Sequence, residues 1–477
     1  SSVQDHSKQV VCYLAGWAVY RKPPGKFDIE DIDATLCSII IYCFIGIDKA
    51  TSEVKSVDPW NDFNKSAFER IVGLKKQNPK LKVTFSIGGW SVGPKLFSIM
   101  AAKPVLRKVF ITSIVTFIKK HKFDGLDLNW QYPAQTYRGG GTEDKENFFS
   151  LVKELRREFD KHDWLLTSTM AKEMSIIETA YNVKLLASYL NYIHILTYDY
   201  YAKWHGRTGH NAPLYSGDDE SFAEKTLNVD FTINKYLQLG CPPEKLVMGL
   251  GLYGHTFLLQ DPSYHQLGAP TQPSACKGPI TQEDGALGYN EICTEQKIGI
   301  CDWKIVHQKV QHSPYMFRGD MWVSYDDDYS LYLKTVYART KDLAGVHVWS
   351  IDYDDFLGTC FNKKYPLLHA INNALADKEV QPHKPGNDNH CHEVMAQDHE
   401  TNLDCTQHSL NLPKIVGISA TVILAVFVLF ILCCILYKKC NREAVIHSST
   451  ELTMQSIKQL QTNGAQPGNS PDQHTDQ

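Results

Sequence analysis

The sequence predicts an α/β fold: a (β/α)8 barrel of eight alternating strand and helix units, followed by one C-terminal transmembrane helix. Three observations support this prediction. Eight short apolar runs lie before residue 376, segments with helical periodicity separate most of them, and an uncharged apolar run lies near the C-terminus. Strands that alternate with helices favour a parallel sheet, and eight such units can close into a barrel.

The predicted strands are the eight apolar runs, and three of the segments between them show the clearest helical spacing of apolar residues. The strands are 10–18, 38–47, 82–88, 123–130, 165–171, 192–199, 246–253 and 345–352, and the helices are 66–76, 105–119 and 143–161. The interval between the seventh and eighth strands is too long for a single helix. We therefore expect an insertion at about 255–332 within a barrel domain of residues 1–375.

The apolar run at 415–437 contains no charged residue and is long enough to span a bilayer core of about 30 Å. Lys438, Lys439 and Arg442 follow it directly. By the positive-inside rule, the sequence predicts a single-pass type I protein of the plasma membrane, with an extracellular N-terminal domain. Residues 376–414 would form an extracellular stalk and 438–477 a cytoplasmic tail.

The composition fits a large globular domain and excludes some classes of partner. The chain has 477 residues, 43% of them hydrophobic, and its formal net charge of -4 shows no basic excess. Nucleic acid is therefore excluded as a partner. No histidine or cysteine cluster has the spacing of a zinc site, and no glycine-rich phosphate loop is present, so we expect neither a metal nor a cofactor.

The stretch 122–133 contains the densest group of chemically capable side chains. Side chains alternate faces along an extended chain, so this strand presents one polar face and one apolar face. The polar face carries Asp127, Asn129 and Gln131, and the apolar face carries Leu126, Leu128 and Trp130.

This stretch resembles the signature strand of the family-18 glycoside hydrolases, the chitinase family, whose pattern is Asp-Gly-x-Asp-x-Asp-Trp-Glu-Tyr-Pro. In that family the substrate's acetamido oxygen attacks the anomeric carbon, a Glu protonates the leaving oxygen and an Asp orients the acetamido group. The resemblance implies that Asn129 replaces the orienting Asp and Gln131 the proton donor, while Asp124 and Asp127 remain. It also implies that the insertion is an α+β unit that forms one wall of the cleft.

Neither amide can perform the chemistry of the acid it replaces. An amide has no acidic proton near neutral pH and no negative charge to balance a cationic intermediate. General acid catalysis alone contributes roughly 10²- to 10⁴-fold to a rate. We therefore expect a sugar-binding cleft that does not hydrolyse its ligand and assign no catalytic residue.

Other residues match the chitinase pattern where predicted strands end, which is where barrel enzymes place their sites. The resemblance implies that carbohydrate contacts come from the aromatic, methionine and acidic side chains at these ends. Together with Asp127, Asn129 and Gln131, they are Trp17, Trp90, Met170, Tyr198, Asp199, Trp204, Tyr253 and Trp349.

Cysteine placement and one sequon also suggest an extracellular domain. The resemblance implies disulfides between Cys12 and Cys37 and between Cys293 and Cys360, and Cys391 with Cys405 could close a loop in the stalk. Asn64 begins an Asn-Lys-Ser glycosylation sequon. Sequence alone does not determine the disulfide connectivity.

The favoured function is a catalytically inactive, chitinase-like lectin that binds chitooligosaccharides or other N-acetylglucosamine-containing glycans. Two alternatives stay open. One is a protein-binding adhesion or receptor scaffold with a vestigial cleft, for which the sequence names no protein partner. The other is a weakly active glycosidase with another proton donor, for instance Asp127 or Glu173.

Overall fold

Fourteen strands form two sheets in the computed structural model, which describes residues 6–298, 302–379 and 403–405. The strands are β1 (Gln9–Ala15), β2 (Ile39–Ile47), β3 (Val54–Ser56), β4 (Lys82–Gly88), β5 (Gly125–Asn129), β6 (Leu165–Met170), β7 (Tyr192–Ile195), β8 (Leu246–Gly251), β9 (Tyr253–Leu258), β10 (Ala286–Gly288), β11 (Lys304–Gln308), β12 (Ser313–Arg318), β13 (Met321–Ser324) and β14 (Gly345–Trp349). The helices are α1 (Ala67–Gly73), α2 (Lys95–Ala102), α3 (Pro104–His121), α4 (Asp144–Phe159), α5 (Met174–Ala180), α6 (Val183–Tyr189), α7 (Val229–Gln238), α8 (Tyr289–Ile298), α9 (Asp328–Thr340) and α10 (Pro366–Leu375).

Eight of these strands form a closed parallel barrel. Their order is β1, β2, β4, β5, β6, β7, β8 and β14, and β14 pairs with β1 to complete the circle. The short β3 adds to β2 in antiparallel orientation. The eight-stranded barrel predicted from the apolar runs is therefore confirmed.

Several predicted strands end earlier than expected, among them the first at Ala15, the eighth at Trp349, the sixth and the seventh. The sixth ends at Ile195, so Tyr198 and Asp199 lie in the loop that follows it. The seventh is divided at Leu252: β8 stays in the barrel, and β9 joins the second sheet. The chain leaves the barrel at this point because the insertion begins here.

The insertion is built on a five-stranded antiparallel sheet in the order β10, β9, β13, β12, β11. Its hydrophobic core is separate from that of the barrel and includes Leu258, Ile292, Met316 and Val323. The insertion predicted between the seventh and eighth barrel strands is therefore confirmed.

Helix α4 shows why the helices cover the barrel. Its buried apolar residues recur at helical spacing: Phe148, Leu151, Val152, Leu155 and Phe159. This spacing places them on one stripe that packs against the sheet while charged residues face solvent. The regular alternation of such helices with barrel strands surrounds the parallel sheet with an apolar layer.

Glycine is required where β5 starts beside β6. Gly125 has φ of 158°, and a Cβ at this position would lie 2.0 Å from the backbone oxygen of Leu165. Any larger residue would separate the two strands. Gly125 therefore allows β5 to pair closely with β6 and so fixes the path of the strand that leads to the site.

Among the residues that the structure describes, three disulfides stabilise the fold. Cys12 bonds to Cys37 and Cys293 bonds to Cys360, as the resemblance implied. The predicted pairing of Cys391 with Cys405 is wrong, because Cys405 bonds to Cys276 in the insertion. Backbone hydrogen bonds between Lys277 and Asp404, of 3.0 and 2.9 Å, hold the two segments side by side. Three disulfides indicate an oxidising, extracellular-type compartment.

Within the described ranges no helix combines the length and apolar character that crossing a membrane requires. The predicted span at 415–437 and the predicted tail at 438–477 lie outside the described residues, as does most of the predicted stalk at 376–414. Asn64 is exposed at the end of a helical turn, and its glycosylation stays a prediction.

Two buried histidines should make the fold sensitive to acid. Burial lowers the pKa of both His210 and His347 to about 3, so both rings are neutral in the folded state at neutral pH. The unfolded chain binds more protons than the folded chain between that value and about 6.5, the usual pKa of histidine. Stability should therefore fall as pH drops through this window, by about 1.4 kcal/mol per pH unit for each histidine.

Urea unfolding of residues 1–407 from pH 7 to pH 4 would measure this slope. His210→Gln should reduce it, because the variant removes one of the protons bound on unfolding. His162→Gln, a change at an exposed histidine, should leave it unaltered. Equal slopes in the wild type and His210→Gln would contradict the assignment.

Candidate functional site

The two amides of the signature strand lie together at the carboxyl end of β5. Asn129 is the last residue of the strand and is buried, whereas Gln131 is partly exposed. Gln131 Nε2 donates a hydrogen bond to Asn129 Oδ1 at 2.7 Å. Gly88 allows β4 to approach, because a Cβ there would lie 2.2 Å from the backbone oxygen of Asn129. Asn129 is thus enclosed by the neighbouring strand, whereas the side chain of Gln131 is partly accessible to a ligand.

Asp127 lies inside the barrel, below the amides, and is fully buried. Its Oδ2 accepts hydrogen bonds from Ser86 at 2.7 Å and Tyr13 at 3.1 Å, and its Oδ1 accepts one from Thr167 at 2.7 Å. Burial raises the pKa of Asp127, but contact with His194 and these hydrogen bonds outweigh it and lower the pKa below its usual range. The carboxylate is therefore an enclosed anion at neutral pH.

Asp199 is the second carboxylate of the site and is more accessible, with 38% of its side chain exposed. Its Oδ1 accepts a hydrogen bond from the Tyr253 hydroxyl and lies 2.7 Å from His255 Nε2. Burial raises its pKa, but hydrogen bonding and attraction to His255, together with Lys172 and Tyr253, lower it to about 2. Asp199 therefore carries a negative charge and no transferable proton at neutral pH.

His255 links this carboxylate to the insertion. Its Nδ1 lies 3.0 Å from the backbone oxygen of Gly285, while its Nε2 faces Asp199. Both ring nitrogens thus face oxygen atoms, and these two contacts fix the orientation of the imidazole ring. The predicted residue Tyr253 contributes through its hydroxyl to the same group.

Aromatic rings form the floor and rim of the site. Trp349 stacks on Phe44 with ring centroids 5.8 Å apart, and Trp17 stacks on the same Phe44 at 5.9 Å. Trp90 and Trp204 are the most exposed of the predicted site tryptophans, at 59% and 68%. Large exposed indoles at the mouth of a barrel offer flat apolar faces to a ligand.

The remaining predicted residues have different positions. Met170 ends β6 and is fully buried, and Tyr198 is buried with its ring 5.9 Å from that of Tyr253. Asp124 precedes β5 at the opposite end of the barrel. It pairs with Lys75 at 3.0 Å and accepts a hydrogen bond from the backbone N–H of Val83, so its role is structural.

The described residues contain one cluster with metal-ligating side chains, formed by Cys293, Asp355 and Cys360. The two cysteines are joined in a disulfide, so their sulfurs are not free to act as thiolate ligands.

Comparison with known proteins identifies the family to which this barrel and its strand-end residues belong. The family model for the glycosyl hydrolases of family 18 matches residues 9–354. The chain belongs to glycosyl hydrolase family 18.

Relatives within this family include chitinases over almost the whole barrel. "Probable chitinase 2" of Drosophila melanogaster is 41% identical over 415 residues, which covers 79% of this chain and 84% of the relative. Among solved structures, the Group IV chitinase of Ostrinia furnacalis in complex with allosamidin is 40% identical with a TM-score of 0.75, covering 78% of this chain and 99% of the other.

Another relative within family 18 is described as a pseudo-chitinase with retained chitooligosaccharide-binding properties. This is human YKL-39, 36% identical with a TM-score of 0.71, covering 77% of this chain and 99% of that one. The proteins similar to this chain therefore include chitinases and a pseudo-chitinase that binds chitooligosaccharides. The family resemblance stated from the signature strand is confirmed.

Several residues of this family-18 site were not predicted from the sequence. Tyr13, Ser86, Thr167 and His194 surround Asp127 in the barrel interior. Each is a polar residue in the middle of an apolar predicted strand, and that interruption is a signal that could have found them. Nothing in the local sequence, in contrast, indicates that His255 pairs with Asp199.

Proposed function

We propose that this protein is a catalytically inactive, chitinase-like lectin that binds chitooligosaccharides or related N-acetylglucosamine-containing glycans at the cell surface. The observation that carries the proposal is the hydrogen-bonded amide pair, Gln131 with Asn129, at the centre of a family-18 site. In this proposal the apolar run at 415–437 anchors the barrel in the plasma membrane, with residues 376–414 as the connecting stalk.

Hydrolysis requires an acid that protonates the leaving oxygen. Gln131 can donate a hydrogen bond to a glycosidic oxygen but cannot transfer a proton to it. Asp127 is enclosed and Asp199 is ionised, so neither supplies the missing acid. The Glu173 carboxylate is already engaged in an ion pair with Lys172, with 2.8 Å between Nζ and Oε1.

Binding requires a pocket of suitable shape and apolar surface against which sugar rings can pack. Amides are nearly isosteric with the acids they replace, so the pocket keeps its outline and most of its hydrogen-bonding atoms. The tryptophans remain at the strand ends, and Trp17 and Trp349 share Phe44 as a common stacking partner. Human YKL-39 offers a precedent in the same family for binding in a pseudo-chitinase.

Calorimetric titration of the protein with chitotetraose should show binding, and chromatography of the mixture should show the sugar intact. Trp349→Ala should weaken binding by roughly 30-fold, the effect typical of a central aromatic anchor. Trp164→Ala is the matched control, because Trp164 precedes β6 at the opposite end of the barrel. Its affinity should equal that of the wild type.

Two results would contradict the proposal. Shortened products at a rate typical of chitinases would show that a proton donor remains. A protein that binds no oligomer would exclude a lectin and favour a protein-binding scaffold instead.

A further inference from the structure

Arg138 packs against Trp90 at the rim of the site. Its guanidinium carbon lies 3.7 Å from the centroid of the indole ring. Its Nη2 donates to the backbone oxygen of Trp90 at 2.7 Å, and its Nη1 donates to the backbone oxygen of Gln131 at 3.0 Å. One planar cation thus contacts the ring and main chain of Trp90 and also the main chain of Gln131.

These contacts restrict Trp90 without covering it. The guanidinium lies over the ring, yet 59% of the residue is exposed, so much of Trp90 stays accessible to a ligand. An exposed tryptophan without such contacts would sample several rotamers and would lose that freedom when a ligand bound. With Arg138 in place, the ring is ordered before the ligand arrives.

We propose that Arg138 is a positioning residue that holds Trp90 ready to stack against a sugar ring, and so sets the affinity for longer oligosaccharides. This inference rests on the proposed function. In this proposal a disaccharide held over Trp349 occupies too little of the cleft to stack on Trp90, and its affinity does not depend on Arg138. A longer ligand that extends along the cleft contacts Trp90 and benefits from its fixed orientation.

Arginine has properties here that lysine does not. The guanidinium is planar and presents its N–H groups in a fixed fork, so it can stack on the indole while donating two hydrogen bonds in its own plane. A lysine ammonium is a point charge on a flexible chain and cannot make all three contacts together. Arg138→Lys should therefore behave much like Arg138→Ala, although it keeps the charge.

Titrations of the full chain in detergent with chitobiose and chitohexaose would test the inference. Arg138→Ala should weaken chitohexaose binding by roughly 3- to 10-fold and leave chitobiose binding unchanged. In a Trp90→Ala background the substitution should have no further effect. Arg157→Ala, on the exposed face of α4, is the matched control and should bind both sugars as the wild type does.

A second measurement tests the contact without sugar. Acrylamide quenching of tryptophan emission, compared with Trp90→Phe, isolates the signal of Trp90. Arg138→Ala should make that signal more easily quenched, and Trp90→Phe should abolish the difference. If the wild type binds no oligosaccharide, the proposed function fails, and quenching still tests the contact.

Three results would overturn the inference. Equal losses for chitobiose and chitohexaose would show a general structural role. A loss that persists in the Trp90→Ala background would show that Arg138 acts without Trp90. Unchanged quenching in Arg138→Ala would show that Arg138 does not restrict the Trp90 side chain.

Discussion

Replacing Asn129 by Asp and Gln131 by Glu together should raise hydrolysis of chitooligosaccharides by roughly 10²- to 10⁴-fold over the wild type. The glutamic acid would stand where Gln131 now stands and could donate a proton to the leaving oxygen. The two side chains are 2.7 Å apart, and two carboxyl groups at that distance cannot both ionise. Their repulsion would raise the pKa of one of them, which keeps a proton available near neutral pH.

The double variant should hydrolyse chitooligosaccharides much faster than either single variant, because the two groups act together in the reaction. With Gln131→Glu alone, the carboxylate at position 129 that would orient the acetamido group is still missing, and with Asn129→Asp alone, no acid protonates the leaving group. Gln77→Glu adds a charge at an exposed position that precedes β4 at the opposite end of the barrel, and it should hydrolyse chitooligosaccharides no faster than the wild type. Release of a fluorophore from a chitobioside would measure the rate of hydrolysis by these four variants and by the wild type.

A double variant that binds chitotetraose as tightly as the wild type but does not cut it would contradict this expectation. It would mean that the cleft around the leaving oxygen differs from that of an active chitinase by more than two side chains.

Replacing Lys334 by Met should lower the free energy of unfolding by about 3–5 kcal/mol. Lys334 and Asp326 form an ion pair in which both side chains are almost fully buried. Burial raises the pKa of Asp326 and lowers that of Lys334, and their mutual attraction opposes both shifts. Without the lysine, the Asp326 carboxylate would remain buried with only the Ser330 hydroxyl, at 2.7 Å, to satisfy its Oδ1.

This ion pair also joins the barrel to the insertion. Lys334 lies on barrel helix α9, and its Nζ donates to Ser313 of β12 at 3.0 Å. The double variant Lys334→Met with Asp326→Asn should recover much of the loss, because it removes both buried charges. Lys341→Met is the matched control. Lys341 is a partly exposed lysine at the end of the same helix, and its replacement should lower the free energy of unfolding by at most about 1 kcal/mol. A Lys334→Met variant as stable as Lys341→Met in urea unfolding would contradict the prediction.

Local pattern determines most of what could be predicted about this fold. The barrel strands are apolar runs, and α4 shows its buried stripe in the spacing of its apolar residues. The pattern of the signature strand predicts that Asn129 and Gln131 lie on the same face, since one residue separates them in an extended chain. The hydrogen bond between them follows from that local geometry.

Contacts between distant segments could not be derived in this way. His255 meets Asp199 because β9 leaves the barrel and folds into the insertion sheet, a path that no local pattern specifies. Cys405 pairs with Cys276 rather than with its sequence neighbour for a similar reason: the segment around it adds alongside the insertion. Arg138 contacts Trp90 because β4 and β5 are paired in the sheet, and the contact then depends on the path of the loop that follows each strand.

The Cys276–Cys405 bond has a consequence for how the two ends of this region can be separated. It joins the insertion to a point beyond residues 380–402, so the intervening chain is one of two covalent routes between them. A protease that cut anywhere within 380–402 would leave both fragments joined through sulfur. Release of the barrel from the C-terminal part of the chain would then require a reductant as well as a peptide-bond cleavage.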